Sequence, residues 1–416
     1  MLSILINAYA CSPGMGSEPG MAWNWCVNLA KHCELHIITE GEFRERIETV
    51  LPTVPQERNL HFYYNPVPDE VRQMCWNQGD WRFYRHYKKW QWKTYLIAKE
   101  ICRKRKIDIL HQLNMIGFRE PGYLWKLSRE TGVPFVWGPI GGLKQFPVEF
   151  LKEVDWKIKL FNRLKNCINV LQIKYGCRVN NALKTADVLI SSIPDSYKMI
   201  KKYKHLESVI IPETGCYALQ NIEIATEDSK KKGLSLLWVG KFDFRKQLGI
   251  AIKAIAKAKE LKDLKLTICG SGNDLQIAQY KQLAQDLGID GQISWLGNIP
   301  NDKVLAEMKK ADLFFFTSVS EDTSTVVLEA VSCGLPVLCF DACGFGYVIN
   351  DKVGIKIPLT NPEQSVKDFA DRIEYLYSHR DVLSEMSKNC RQRQEELSWG
   401  NKAKHMIELY KDCLFK

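Results

Sequence analysis

The chain has 416 residues, 45% hydrophobic and 25% charged, a globular composition with apolar material enough for two domains or three. Its 58 Lys and Arg against 48 Asp and Glu leave a net charge of +10, and no apolar run reaches the roughly 18 residues of a membrane span. The excess sits in one half. Residues 1–215 carry 31 basic and 21 acidic side chains, residues 216–416 carry 27 of each, and nine of the twelve Trp precede residue 216. The halves are expected to meet different partners, with something anionic or amphiphilic for the first.

The opening Met1–Cys11 could pass for a short secretory core. It has no basic leader and runs into a patterned domain, so it is read as a first buried strand. Short apolar runs follow at Leu2–Ala8, His36–Thr39, Leu60–Tyr64, Ile107–His111, Phe135–Trp137 and Val188–Ser191, each consistent with a buried parallel strand. Helical spacing separates them, as at Met21–Lys31 and Trp81–Lys106. After Pro212-Glu-Thr-Gly215 the composition turns polar up to Lys230-Lys-Lys-Gly233, which marks a domain boundary. A second series of strands is expected at Ser235–Val239, Lys265–Cys269, Ile293–Leu296, Leu313–Thr317 and Val337–Phe340. Two α/β units with parallel sheets are implied. The fourteen Cys form no C-x-x-C, and Cys339 with Cys343 lacks a matching pair. They read as reduced thiols of a cytosolic protein, and no metal site is expected.

Parallel sheets bind ligands at the carboxyl ends of their strands, so the loops leaving strands are the places to search. After the first strand comes Ser12-Pro-Gly-Met-Gly-Ser-Glu-Pro-Gly20, with a helix expected from about Met21; Gly14, Gly16 and Gly20 suit a ligand-facing loop. After Val239 comes Gly240-Lys-Phe-Asp-Phe-Arg-Lys246. There Lys241, Arg245 and Lys246 precede a helix over Leu248–Lys259 and suit a diphosphate. Gly270-Ser-Gly272 supplies a second close-approach loop beside it. In Thr317–Ala330, Glu321 lies in a Ser/Thr-rich loop and Glu329 eight residues on, inside an apolar stretch. An unpartnered carboxylate there is costly, and the vicinal hydroxyls of a ribose would satisfy it. The hydroxyls and amides of Asp322, Thr323, Ser324 and Thr325, at a helix start, could hold an anion.

Glu321-x7-Glu329 followed by Cys333-Gly-Leu-Pro336 resembles the donor-site signature of the retaining glycosyltransferases of family 4, the group 1 glycosyltransferases. Gly240-Lys241 with Lys246, Gly270-Ser-Gly272, Leu296-Gly297 and Ser398-Trp399 are similar to family positions in order and spacing. So are Gly16-Ser-Glu18-Pro-Gly20 with Trp23-Asn-Trp25, Asp108-Ile-Leu-His111 and Trp137–Gly142. The resemblance implies a GT-B fold, two Rossmann-like domains facing across a cleft with the C-terminal helix crossing back to the first. Residues 1–215 with about 398–416 would form the acceptor domain and 216–397 the nucleotide-sugar donor domain. It implies transfer of a hexosyl group from a nucleotide-diphospho-sugar with retention, and without a metal or other cofactor. Glu329 would bind the donor ribose, Glu321 would lie beside the hexose, and Lys241 and Lys246 would hold the diphosphate. The Gly16 loop, with Glu18, would line the cleft, and His111 would contact the sugar from the other side. The family's Gly-Phe-Gly after the first Glu is Asp322-Thr-Ser324 here, and its arginine is Lys241.

The stretch Trp81–Lys106 holds ten Lys/Arg and one Glu, with aromatics interleaved. It reads as a surface for an anionic membrane, seconded by Trp156–Lys174, more than for nucleic acid, with a solvated helix face over core aromatics as the plain alternative. A cytoplasmic enzyme resting on the inner face of the cell membrane, extending a glycan or lipid-linked acceptor for envelope polysaccharide or glycolipid, is the expectation. The alternative is an inactive basic membrane- or nucleic-acid-binding protein on the same fold, which leaves Glu321 and Glu329 unexplained.

Overall fold

The computed structural model describes residues 1–77, 79–152, 154–217 and 233–415. The polar stretch expected between the domains lies largely outside them. The chain divides into two compact units, Met1–Lys144 with Cys167–Thr214 and Trp399–Lys416, and Gln145–Asn166 with Gly215–Ser398.

The first unit is built on β1 (Ser3–Ala8), β2 (Glu34–Thr39), β3 (Leu60–Tyr64), β4 (Ile109–Asn114), β5 (Phe135–Ile140), β6 (Val188–Ser191) and β7 (Val209–Ile210). Their order in the sheet is β3-β2-β1-β4-β5-β6-β7, with parallel pairing throughout. Every residue of β1, β4 and β5 is buried, as strands covered on both faces require. The second unit holds β8 (Leu234–Val239), β9 (Leu264–Cys269), β10 (Ile293–Gly297), β11 (Leu313–Phe316), β12 (Val337–Phe340) and β13 (Gly354–Ile357). Their order is β10-β9-β8-β11-β12-β13, again parallel. In each sheet the order reverses once, between β1 and β4 and between β8 and β11. Those are the topological switch points.

Two parts of the chain leave their sequential neighbours for the other unit's core. The helix Trp399–Leu414 packs Trp399, Ala403, Met406 and Tyr410 among the buried residues of β1, β2 and the Ser17–Leu29 helix. Conversely, Gln145–Asn166, expected with the first domain, belongs to the second unit. Phe146 packs on Phe244 at 5.4 Å between ring centres and Phe150 on Phe340 at 5.7 Å, so burial of these two rings decides its allegiance.

Lys402 secures the last helix. Its side chain is buried, its ammonium donates to the carbonyls of Pro212 and Thr214, and it lies 5.1 Å from the rings of both Trp25 and Trp399. Trp25 Nε1 donates to the carbonyl of Glu213 at 2.9 Å, so the same three-residue segment is held from two sides. Lys402→Met keeps the stem and strands two buried carbonyls. It is expected to cost about 3 kcal/mol of folding stability, read from denaturant midpoints; an unchanged midpoint would remove the clamp.

Candidate functional site

The switch point of the second sheet places the loops after β8 and β11 side by side. Thr317 is buried at the end of β11. Its Oγ1 accepts from Trp238 Nε1 at 3.0 Å and donates to the carbonyl of Lys246 at 2.7 Å. Val319 N–H and Ser318 Oγ reach the carbonyl of Arg245 at 2.9 and 3.3 Å. With its backbone tied down twice, the loop aims Lys246 at Glu321: Nζ lies 2.8 Å from Oε1, over the face of Phe316. Ser318 Oγ donates to the same carboxylate oxygen at 3.0 Å. Both side chains are about one-fifth exposed, enough to meet a ligand without being dispersed in water.

The other cations of the loop differ. Asp243 caps the short turn Phe244–Lys246 and receives Arg245 at 2.6 Å, so Arg245 is folded back on its own loop. Burial pushes the Asp243 carboxyl up, but the hydrogen bonds from the Arg245 side chain and amide hold it below its ordinary value. Lys241 is exposed and forms no ion pair among the described residues. The sequence grouped the three together; the structure sets Arg245 apart.

The glycines have a structural reason. A Cβ on Gly270 would stand 1.8 Å from the carbonyl oxygen of Gly240, and one on Gly272 would stand 2.8 Å from Phe242 Cβ. The two loops are also laced by hydrogen bonds, Gly240 N–H to Cys269 and Phe242 N–H to Ser271. They are adjacent, as expected, but the close approach is of backbone to backbone.

Glu329 is half-buried on the helix Thr325–Ser332, where Asn301 Nδ2 donates to its Oε1 at 3.2 Å. Burial raises its carboxyl above the usual value, and the Asn301 bond opposes that rise. Asn301 opens the helix Asn301–Lys310, an ordinary start after Pro300 that drew no notice in the sequence. Thr323 and Ser324 are buried and Thr325 is exposed; Ser324 stands at the helix's N-cap but its side chain makes no capping bond. Cys343 was also missed. It sits at φ +55°, with its sulfur 3.4 Å from the amide of Glu321. Gly344 beside it has no room for a Cβ against Thr323. The glycines of Gly344-Phe-Gly346, directly after a strand, were the available signal.

In the first unit the helix begins at Ser17, four residues earlier than expected, so Glu18 and Gly20 are helical and the loop ends at Gly16. Gly16 has nothing within 4 Å of a Cβ, whereas Gly20 admits the carbonyl of Met15. The Glu18 carboxylate accepts the amide of Ile116 at 3.2 Å, tying the first turn of this helix to the loop after β4.

Residues 220–393 match the family model for glycosyl transferases group 1. A D-inositol 3-phosphate glycosyltransferase of Corynebacterium kroppenstedtii is 28% identical over 205 residues, 46% of this chain and 45% of its own. An uncharacterized glycosyltransferase of Methanocaldococcus jannaschii is 30% identical over 190 residues, 45% of this chain and 46% of its own. Over this segment the chain is similar to the group 1 glycosyltransferases. The chain spans about half the length of these curated relatives. The solved structure of Anabaena HepE in complex with UDP aligns over 99% of this chain and 100% of HepE, with TM-score 0.61 and 14% identity. That likeness establishes the fold as GT-B.

One expectation is corrected and another is divided. His111 is not available to a sugar: its ring is fully buried, Nε2 donates to the Gly138 carbonyl at 2.7 Å and Nδ1 accepts from Tyr410 at 2.5 Å. It pins the last helix to β4. The basic-aromatic stretch 81–106 has two sides: Phe83, Tyr87 and Trp90 of the helix Phe83–Lys104 are buried around Tyr9, with ring centres at 5.8, 5.0 and 4.8 Å, while Trp81, Tyr84, Trp92 and Leu96 are exposed. Among the described residues no three His, Cys, Asp or Glu gather as a metal site, and no helix is long and apolar enough to cross a membrane.

Burial pushes the His111 imidazole down to about 4, against the opposing Gly138 bond. The unfolded chain therefore takes up this proton first on acidification. The neutral ring's contribution is intact above about 6.5 and is lost as pH falls towards about 4, by roughly 3 kcal/mol. The stability gap between wild type and His111→Gln should narrow over that range in urea titrations; a constant gap would contradict the buried neutral ring.

Proposed function

We propose that this chain transfers a hexosyl group from a nucleotide-diphospho-sugar to a glycan or lipid-linked acceptor, with retention of anomeric configuration, in the synthesis of envelope polysaccharide or glycolipid. The observation that carries the reading is the Lys246–Glu321 contact of 2.8 Å at the switch point of the matched segment. An ammonium there can neutralise the charge that grows on a departing diphosphate, work done in other enzymes by a metal. We therefore assign Lys246 and Lys241 to the diphosphate, Glu321 to the hexose and Glu329 to the ribose. The first amides of the helix Thr325–Ser332 lack a side-chain cap and suit an anion as well.

In the proposed step the bond from the anomeric carbon to the diphosphate oxygen breaks and the acceptor oxygen bonds to the same carbon on the same face. The acceptor proton passes to the diphosphate. Donor recognition is placed in the second unit and acceptor recognition in the first, whose net charge is basic. HepE has been solved with UDP and with UDP-glucose, so uridine nucleotides are the first to try. A cytoplasmic enzyme on the inner membrane face fits a lipid-linked acceptor.

Glu329→Ala removes a charged acceptor and should raise the donor KM about a hundredfold with a smaller change in kcat. Unchanged donor binding would end the ribose assignment. Because the Glu329 carboxyl is raised, and only its ionised form accepts two hydroxyl bonds, donor affinity should fall on acidification starting above the ordinary Glu range. Glu329→Gln should abolish that slope. Thermal-shift and transfer assays with UDP-, GDP- and ADP-sugars, read by anomeric NMR of the product, test the whole reading. Stabilisation by none of them, or an inverted product, would overturn it.

A further inference from the structure

The helix Trp156–Tyr175 is built inside out. Its inward side carries Asn162, Asn166, Asn169 and Ile173, spaced four, three and four apart along one helical face. Asn166 exchanges hydrogen bonds with both the N–H and the carbonyl of Phe146 at 2.9 Å. Asn169 donates to the Lys144 carbonyl at 3.2 Å and accepts from Arg119. Amides, not a hydrophobic stripe, fasten this helix to the protein. The apolar stripe faces out: Leu160, Phe161, Leu164, Ile168, Leu171 and Tyr175 are 46–71% exposed, with Trp156 at 65% before them. Soluble proteins seldom leave such a face uncovered.

The charge says what covers it. The helix holds Lys157, Lys159, Arg163, Lys165 and Lys174, and no acidic residue occurs from 156 to 186. A second copy seated on this stripe would bring its cations against these. An anionic headgroup layer meets the cations while the acyl boundary takes the Leu, Ile and aromatic side chains. We infer that Trp156–Tyr175 lies in the plane of an anionic bilayer and anchors the protein to it. The inference deepens the reading of the acceptor as lipid-linked, and adds to the stretch 81–106 a helix whose whole apolar stripe is exposed.

The test is co-sedimentation of the full chain with vesicles of phosphatidylcholine alone or with roughly a third phosphatidylglycerol, at low and high salt. The wild type should bind the anionic vesicles, less so in salt, and bind the neutral ones weakly. Leu164→Glu with Leu171→Glu should lower vesicle affinity about a hundredfold, since each leucine gains roughly tenfold by burial. Circular dichroism and denaturation midpoint should not move, both positions being exposed. Lys157→Gln with Lys159→Gln and Arg163→Gln should lower affinity at least about tenfold and flatten the salt dependence. Failure of the wild type to bind, equal binding by the leucine variant, or a dimer that this variant makes monomeric would overturn the proposal. Vesicle binding and response to nucleotide sugars are separate readouts. A chain that binds vesicles but no donor would sink the transferase reading and leave the anchor standing.

Discussion

Parallel strand pairing is the constraint from which the rest follows. Every strand of both sheets runs with its neighbours, so each connection must cross over and each loop leaving a strand emerges at one edge. Where the order reverses, two such loops have no crossover between them and can share a ligand. In the second unit these are the loops after β8 and β11, and the chain Trp238 to Thr317 to the Lys246 carbonyl fixes one against the other. The Lys246–Glu321 pair is the outward end of a buried hydrogen-bond chain. Its geometry is set from the core.

The first unit uses the same topology differently. At its switch point several polar groups bond one another: Asn7 Nδ2 donates to Gln112, Asn114 to the Ala10 carbonyl, and Glu18 receives Ile116, while Asn7 Oδ1 is buried without a partner. His111 is saturated. The family match covers the same half that carries the paired carboxylate and ammonium.

Much of this was legible because buried parallel strands are written as short apolar runs. Eleven strands were found within a few residues of their observed bounds. β7 has two residues and β13 reads Gly-Ile-Lys-Ile, too short or too mixed to separate from loop. The candidate residues of the second unit could be singled out because carboxylates and cations in strand-to-helix loops are chemically conspicuous. Two of their partners could not, since Asn301 and Cys343 meet Glu329 and Glu321 from 28 and 22 residues away. His111 misled for the opposite reason: a histidine at a strand's end looks functional until Tyr410, 299 residues away, is seen to bond it. The pull of Phe146 and Phe150 towards the second unit was equally invisible to local pattern.

The docking of Trp399–Leu414 into the first unit has a consequence in time. A ribosome releases residues 145–398, and with them every strand of the second unit, while the first still lacks the helix that fills its core between Trp25 and β4. The usual order, amino-terminal domain first, is reversed for final closure. During that interval Trp25, the underside of β1 and β2, and the carbonyls of Pro212 and Thr214 have no cover. The half begun first is the half completed last.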